Sequence, residues 1–380
     1  MKDKKFFCYE IFKNLSISSD PDGHVKYSPC CYYKGFINDS AEIDIDYAWD
    51  SAERQQLKQL IADDMSIPGC VNCYRDEERG VTSKRLAAKE QYEEFQKDTN
   101  IDISGPQALD YRAGNLCNLK CMICGPNNST AWIPDYQKMY PTKSVQIFKH
   151  NKNINKIISD VKSLENIKMV HFHGGGEPLM STDHIRLLTD IKSVKGLADV
   201  RVTYNTNGTV RVDDQVLELW SQCKLVEIYF SIDDVGKRFE YQRTGAKWSE
   251  VTDNIEWYKH HMPHNHMFNI NAVWGYLNFF YLNELVDWHR SFLSTNRYGD
   301  VTNLLFQQAL GKFSLTTISD NIKSNLEHKF KNYPTLMLLL GSLPINNDFK
   351  HTDFWNHVDL IDKVRGTCFK NICPEWSNLI

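Results

Sequence analysis

The sequence lacks the features that would place it in a membrane or on nucleic acid. No stretch of its 380 residues approaches the ~20 consecutive apolar residues that a spanning helix needs. The N-terminus carries charges and only a brief apolar run, unlike a secretory signal. A strong net charge is also missing: the formal charge is −4 at pH 7, so no overall basic field attracts nucleic acid. We therefore expect a cytoplasmic protein with no membrane partner and no nucleic acid partner.

Low-complexity tracts and internal repeats are likewise missing, and the composition is that of a globular protein. Hydrophobic residues make up 42% of the chain and aromatic residues 12%, enough for a large core. Cysteine, in contrast, is plentiful, with 11 residues at uneven spacings. Without a secretory signal, this pattern favours thiolate ligands in a reducing compartment over disulfides.

Three cysteines stand close together at Cys117, Cys121 and Cys124, with the spacing C-x3-C-x2-C. Zinc ribbons and fingers mostly use pairs of ligands with the spacing C-x2-C, repeated further along the chain. A set of three fits a 4Fe–4S cluster that keeps one iron free for a ligand outside the protein. The spacing therefore indicates a metal cluster with an open position.

Strand-like apolar runs alternate with helical patterns from about residue 107 onward. This rhythm predicts a parallel, curved βα sheet. The three-cysteine loop directly follows the first run, which is where a βα barrel carries its reactive groups. The predicted strands are Ala108–Arg112, Met169–Phe172, Val200–Tyr204, Val226–Ile232, Phe268–Trp274 and Leu304–Ala309.

Polar or glycine-rich segments follow the next three predicted strands. The glycine run at 174–176 lets backbone approach a ligand closely, and Glu177 offers a carboxylate to an ammonium group. The Asn205–Gly208 segment carries amide side chains suited to ribose hydroxyls or a carboxylate. Ser231 and Asp233 share one face of their strand. Plain β-to-α turns are the alternative for each segment.

Together these motifs resemble the radical S-adenosylmethionine (SAM) superfamily, in its cysteine signature and in its "GGE" element. The resemblance implies an α/β fold with a partial (βα)6 TIM-like barrel, SAM on a 4Fe–4S cluster at the three cysteines, and flavodoxin or ferredoxin as electron donor. The family commonly has an aromatic residue before the last cysteine, where this chain has Ile123. The residues expected to hold SAM are Gly174, Gly175, Gly176, Glu177, Asn205, Asn207, Ser231, Asp233, Arg243 and Ile123.

A second group of cysteines precedes the predicted barrel. It resembles the cysteine-rich SPASM and Twitch appendages of radical SAM enzymes, which bind auxiliary Fe–S clusters but usually follow the barrel. The resemblance implies an auxiliary 4Fe–4S cluster on Cys8, Cys30, Cys70 and Cys73, with Cys31 left over. A structural zinc ion on the same residues, or no metal at all, are the alternatives.

We expect three regions: a small cysteine-rich α+β appendage at 1–104, the barrel at 105–310 and a helical extension at 311–380. The resemblance implies reductive cleavage of SAM and hydrogen abstraction from a substrate, with a peptide or protein as the first candidate. Radical modification of a small molecule or nucleotide is the alternative. A non-enzymatic zinc or Fe–S module is the second alternative.

Overall fold

One eight-stranded sheet organises the protein. The computed structural model describes residues 2–19, 24–37, 45–78, 80, 82–95, 97, 100–101, 103–112, 114–144, 164–294, 303–348 and 350–380. The strands lie in the order β2-β1-β3-β4-β5-β6-β7-β8. Their bounds are β1 Asn14–Ser19, β2 Val25–Ser28, β3 Ala108–Tyr111, β4 Met169–Phe172, β5 Arg201–Thr206, β6 Leu225–Ser231, β7 His266–Trp274 and β8 Asn303–Gln308.

The six predicted strands are present as β3 to β8, and each pairs in parallel with the next. The pairing keeps the strand ends level: Tyr111 lies beside Phe172, and Phe172 beside Tyr204. Their carboxyl ends therefore meet along one edge, as the barrel prediction requires. The α/β fold with a partial (βα)6 barrel is confirmed.

The N-terminal segment extends this sheet. β1 pairs with β3 in parallel, with Asn14 beside Ala108, and β2 pairs with β1 in antiparallel fashion. The Asp20–Gly23 segment, whose Asp-Pro-Asp-Gly sequence predicts a tight turn, lies outside the described residues. The proposed boundary near residue 105 consequently falls between two neighbouring strands of one sheet.

Helices cover the outer face and the ends of the sheet. The apolar pattern of residues 248–261 predicts a helix, and the structure has a helix at Trp248–His261. Within the part of the chain that the structure describes, the α-helices are Tyr9–Lys13, Ile45–Asp50, Ala52–Ala62, Val71–Glu78, Lys84–Glu90, Ile133–Met139, Asp183–Lys195, Asp214–Ser221, Gly236–Gln242, Trp248–His261, Leu282–Ser294, Asp320–Phe330, Pro334–Gly341, Thr352–Arg365, Phe369–Ile372 and Pro374–Ser377. Among the described residues, no helix has both the length and the apolar character that crossing a bilayer requires.

The C-terminal helices pack on the barrel behind the cysteine loop. Trp376 is fully buried, and its indole nitrogen donates to the Tyr276 carbonyl at 2.6 Å. Arg365 forms a buried ion pair with Asp135 at 2.8 Å and lies over the Trp132 ring. The two Arg365 contacts hold the segment that follows Cys124.

Candidate active site

A cavity of about 760 Å³ opens at the carboxyl ends of the parallel strands. It brings together residues that lie more than a hundred positions apart in the sequence. Asp233 does not line the cavity, but it forms an ion pair with Arg243, which does. The predicted site residues that line the cavity are Cys117, Cys121, Ile123, Cys124, Gly174, Gly175, Gly176, Glu177, Asn205, Asn207, Ser231 and Arg243.

Backbone hydrogen bonds hold the cysteine loop in place on two sides. The amides of Lys120 and Met122 donate to the carbonyls of Thr244 and Gln242, at 2.9 and 2.7 Å. The Trp132 indole donates to the Cys121 carbonyl at 2.7 Å. The loop is thus held in one conformation, which is what three thiols need if they are to bind a common ligand.

The three thiols lie in different electrostatic surroundings. Burial raises the pKa of Cys117, and the Asn207 amide lies 3.7 Å from its sulfur. Contact with Cys124 and burial raise the pKa of Cys121, whereas the same contact lowers the pKa of Cys124. Arg243 lies 3.9 Å from the Cys121 sulfur and favours the thiolate form of both. A basic group therefore faces the place where a negatively charged cluster would sit.

The glycine run forms a sharp turn between β4 and the following segment. Gly174, Gly175 and Gly176 have φ values of +84°, +135° and +70°, a conformation that side chains with a Cβ rarely adopt. A Cβ at Gly176 would lie 2.8 Å from the Leu116 carbonyl oxygen. The turn and the cysteine loop therefore pack backbone against backbone.

Glu177 ties this turn to the end of β5. One carboxylate oxygen accepts from the Thr206 hydroxyl at 2.8 Å and from the Leu179 amide at 3.2 Å. The other accepts from the Asn207 amide at 2.7 Å. Burial raises the pKa of Glu177 to about 7, although these donors oppose the shift. The carboxylate thus joins two strand ends in addition to lining the cavity.

Arg243 and Asp233 form a buried ion pair at 2.8 Å. Asp233 also accepts from the Val273 amide at 2.8 Å, so the pair links the ends of β6 and β7. Burial acts to lower the pKa of Arg243, but Asp233 and the two nearby thiols outweigh it and raise the value. Nε of Arg243 is buried and donates to no atom of the described residues. Arg243 can therefore donate a hydrogen bond from Nε to a molecule bound in the cavity.

A protein-family model matches the part of the chain that forms this cavity. Residues 111–278 match the model described as "Radical SAM superfamily". The match begins at the last residue of β3 and ends at Asn278, just after β7. It spans somewhat less than half of the chain and includes every cavity residue of the cysteine loop and the glycine turn.

Curated relatives match over a shorter stretch. The chain is 28% identical over 145 residues to GTP 3',8-cyclase of Mannheimia succiniciproducens, covering 37% of this chain and 38% of that protein. It is 29% identical over 140 residues to GTP 3',8-cyclase of Lactiplantibacillus plantarum, covering 37% of each. The matched region is therefore less than two fifths of the length of these relatives.

Solved structures show a more distant likeness. The structure titled "Native anSMEcpe with bound AdoMet" has a TM-score of 0.40 and 18% identity, covering 63% of this chain and 62% of that one. Streptococcus suis SuiB bound to precursor peptide SuiA has a TM-score of 0.37 and 14% identity, covering 79% of this chain and 68% of that one.

The second cysteine group gathers at the N-terminal end of the sheet. Burial raises the pKa of Cys8 well above its ordinary value, and Cys70 and Cys73 raise it further. The pKa of Cys30 is raised by burial and, among other groups, by Cys8. The Tyr33 ring packs flat on Gly69, and the Lys34 amide donates to the Gly69 carbonyl at 2.8 Å. These contacts bring the turn after β2 against the turn that carries Cys70.

Several supporting contacts are not marked by the sequence. Thr206 lies inside the Asn205–Gly208 segment, but nothing there indicates its hydrogen bond to Glu177. Trp132 holds the cysteine loop by a side-chain hydrogen bond and belongs to no recognisable motif. Gln242 and Thr244, on either side of Arg243, hold the same loop through backbone carbonyls, which carry no sequence signal.

Proposed function

We propose that this protein is a radical SAM enzyme that abstracts a hydrogen atom from its substrate. The observation that carries the proposal is a single cavity. Three loop thiols, a glycine turn and a buried arginine face it from the carboxyl ends of three strands. Fold, donor chemistry and the matched family model all agree on this edge of the sheet.

The residues at this edge fit the cofactors that the family implies. Three thiols on one rigid loop can hold three irons of a 4Fe–4S cluster and leave the fourth open. The glycine turn presents its backbone to the cavity without any Cβ, and Nε of Arg243 offers a buried donor that has no protein partner among the described residues. When bound, a reduced cluster supplies one electron that cleaves SAM to methionine and a 5′-deoxyadenosyl radical, which removes hydrogen from the substrate.

The protein's own groups would bind and orient SAM. Backbone groups of the turn and the Glu177 carboxylate receive the ammonium group, and Arg243 is placed for the carboxylate. Asn205 and Ser231 line the same cavity from the ends of β5 and β6, on the side suited to the ribose hydroxyls. Ile123 provides apolar cover for adenine from the loop itself.

We assign Cys8, Cys30, Cys70 and Cys73 to an auxiliary 4Fe–4S cluster. Burial, and to a smaller extent electrostatic interaction with neighbouring thiols, raises the pKa values of Cys8, Cys30 and Cys70. A bound metal would displace the thiol protons and supply the positive charge that the thiolates need. A structural zinc ion would use the same residues. Iron analysis distinguishes the two, since two clusters require about eight irons per chain.

The edge of the sheet favours a peptide as substrate. β8 is the last strand in the order, and each of its six residues is exposed or half-buried. Gln307 of β8 and Leu310 just beyond it line the cavity, and Leu310 is 82% exposed. An extended peptide can pair with such an edge and direct one residue into the cavity.

A nucleotide is the second candidate, because the curated relatives are GTP 3',8-cyclases. Aromatic and basic side chains of the N-terminal segment line the cavity mouth, namely Tyr32, Tyr33, Lys34 and Arg75, and they suit a base and its phosphates. This candidate shares the SAM site and differs only in what enters beside it.

Anaerobic reconstitution tests the proposal. The reduced protein should convert SAM to 5′-deoxyadenosine, and replacing Cys121 with alanine should abolish the product, whereas Cys368→Ala, outside both cysteine groups, should not. Turnover with deuterated peptides or deuterated nucleoside triphosphates then identifies the substrate class from label in 5′-deoxyadenosine. If the reconstituted protein bound zinc instead of iron and left SAM intact, the hypothesis that it is a radical SAM enzyme would be refuted.

A further inference from the structure

Three side chains of types that bind metals lie close together outside the two cysteine groups. Cys31, Asp110 and His173 each present a ligand atom, and these atoms all lie within 4.8 Å of one another. Nε2 of His173 is 3.2 Å from one oxygen of Asp110. The three residues come from the turn after β2, from β3 and from the end of β4, so only the folded sheet brings them together.

The group lies where three cavities meet. Cys31 lines the cavity of about 760 Å³ that we propose binds SAM. It also lines a neighbouring cavity of about 300 Å³ and a third of about 630 Å³ along the inner face of the barrel. Asp110 and His173 line both of the smaller cavities. Cys31 is exposed, whereas the Asp110 side chain is only 2% exposed. An ion bound here would touch solvent-filled space on its Cys31 side.

Asp110 is held in position by one of its two oxygens. That oxygen accepts from the Asn14 amide at 2.9 Å and from the Cys31 backbone amide at 3.3 Å. Lys84 lies 4.0 Å from it and pairs more closely with Glu10, at 3.3 Å. The other oxygen points to His173. The carboxylate therefore presents one fixed oxygen to whatever lies between it and Cys31.

The side chains around this point can balance a positive charge. The Asp110 carboxylate lies 3.2 Å from Nε2 of His173, and the Cys31 sulfur lies within 4.8 Å of both ligand atoms. A metal ion bound here would take the place of the hydrogen bond between His173 and Asp110.

We infer that Cys31, Asp110 and His173 bind a divalent metal ion of the zinc class, with one coordination position open to the SAM cavity. Thiolate, imidazole and carboxylate are the donors that zinc uses, at about 2.0–2.3 Å. Tetrahedral bonds of that length place ligand atoms roughly 3.3–3.7 Å apart. Rotation of the exposed Cys31 side chain can bring its sulfur to that distance. Three protein ligands and one open position are the pattern of zinc sites that bind substrate.

The open position would hold an oxygen or nitrogen of the substrate next to the glycine turn, which directly follows His173. The inference does not require the proposed SAM chemistry, since none of the three ligands belongs to either cluster set. It does predict that the substrate carries a group able to bind zinc, such as a carboxylate or a peptide carbonyl.

Zinc binding to the iron-loaded protein tests the inference. After chelator treatment and one equivalent of Zn²⁺, the protein should retain about one zinc per chain. Zinc-edge X-ray absorption should then show one sulfur with two or three nitrogen or oxygen neighbours. Cys31→Ser and His173→Gln should each lower retained zinc at least about tenfold. The matched controls Cys368→Ser and His171→Gln should retain it, and iron content should stay constant throughout.

Two results would overturn the inference. A shell of three or four sulfurs would mean that zinc occupies cluster cysteines instead. Equal zinc retention by Cys31→Ser and the wild type would remove Cys31 from the site. Because Cys31 is exposed, its replacement by serine should leave the fold intact. Loss of SAM cleavage with zinc retained would fault the proposed function and leave this site standing.

Discussion

Replacing Gly176 with alanine would place a methyl group against the backbone of the cysteine loop. Its φ is +70°, and a Cβ would lie 2.8 Å from the Leu116 carbonyl oxygen and 3.2 Å from the Gly114 carbonyl oxygen. The positive φ alone costs about 1–2 kcal/mol for a residue with a Cβ. The clash with backbone adds about 1–3 kcal/mol, the usual range for an overpacked site.

Gly366 provides the matched control, because its φ is +69° and no atom lies within 4 Å of a Cβ built there. Gly366→Ala should therefore cost only the strain, about 1–2 kcal/mol. Gly176→Ala should cost about 2–5 kcal/mol and weaken SAM binding at least about tenfold, since the loop and the turn must separate. A typical domain tolerates that loss and stays folded.

Urea unfolding and anaerobic calorimetric titration with SAM measure the two effects on the same samples. The difference in unfolding free energy between the two variants gives the cost of the clash with the cysteine loop, because both variants carry the same backbone strain. If both alanine variants lost the same stability and Gly176→Ala bound SAM as the wild type does, the packing of turn on loop would not shape the SAM site.

Three further predictions follow from charges and thiols at the site. Burial raises the pKa of Glu177 from 4.5 to about 7. Between these two pH values the folded protein therefore binds more protons than the unfolded chain does. The unfolding free energy should fall by up to about 3 kcal/mol as pH rises from about 4.5 to about 7 through this group, and Glu177→Gln should flatten that fall in urea titrations. Arg243→Ala should destabilise the protein by about 3–5 kcal/mol in urea, because it leaves Asp233 buried without its ion-pair partner. Replacing Cys70 and Cys73 together should roughly halve the bound iron, measured by mass spectrometry, while SAM binding persists.

Each of these predictions has a control in the chain. The Lys247–Glu250 pair is exposed, so Lys247→Ala should change stability by less than about 1 kcal/mol. Cys223 is buried away from both cysteine groups, and Cys223→Ala should leave the iron content unchanged. A pH profile identical in wild type and Glu177→Gln would show that the Glu177 carboxylate does not gain protons on folding.

The barrel strands could be predicted because their signals are local. An apolar run such as Met169–Phe172 has the length of a buried strand, and turn residues bound it. The six strands then place their carboxyl ends together, and this geometry alone brings Cys117 near Asn207. The order of the predicted strands was therefore enough to predict which edge of the sheet carries the site.

Pairings between distant segments could not be predicted in the same way. The parallel pairing of β1 with β3 joins residues 94 positions apart, such as Asn14 and Ala108, and no local pattern indicates it. The contact between His173 and Asp110 depends on that sheet as well. In the sequence, His173 has no signal beyond its position before the glycine run at 174–176, and Cys31 is left over from the second cysteine group. Tertiary packing, rather than any motif, joins them.

The most direct test of the account is whether SAM contacts the cluster held by Cys117, Cys121 and Cys124. A Cys70→Ala and Cys73→Ala double variant leaves that cluster alone in the reduced protein, so its electron paramagnetic resonance signal can be read without overlap. Adding SAM should change this signal, because SAM would occupy the open iron position inside the cavity. A signal that SAM leaves unchanged, in protein that carries about four irons per chain, would contradict the account.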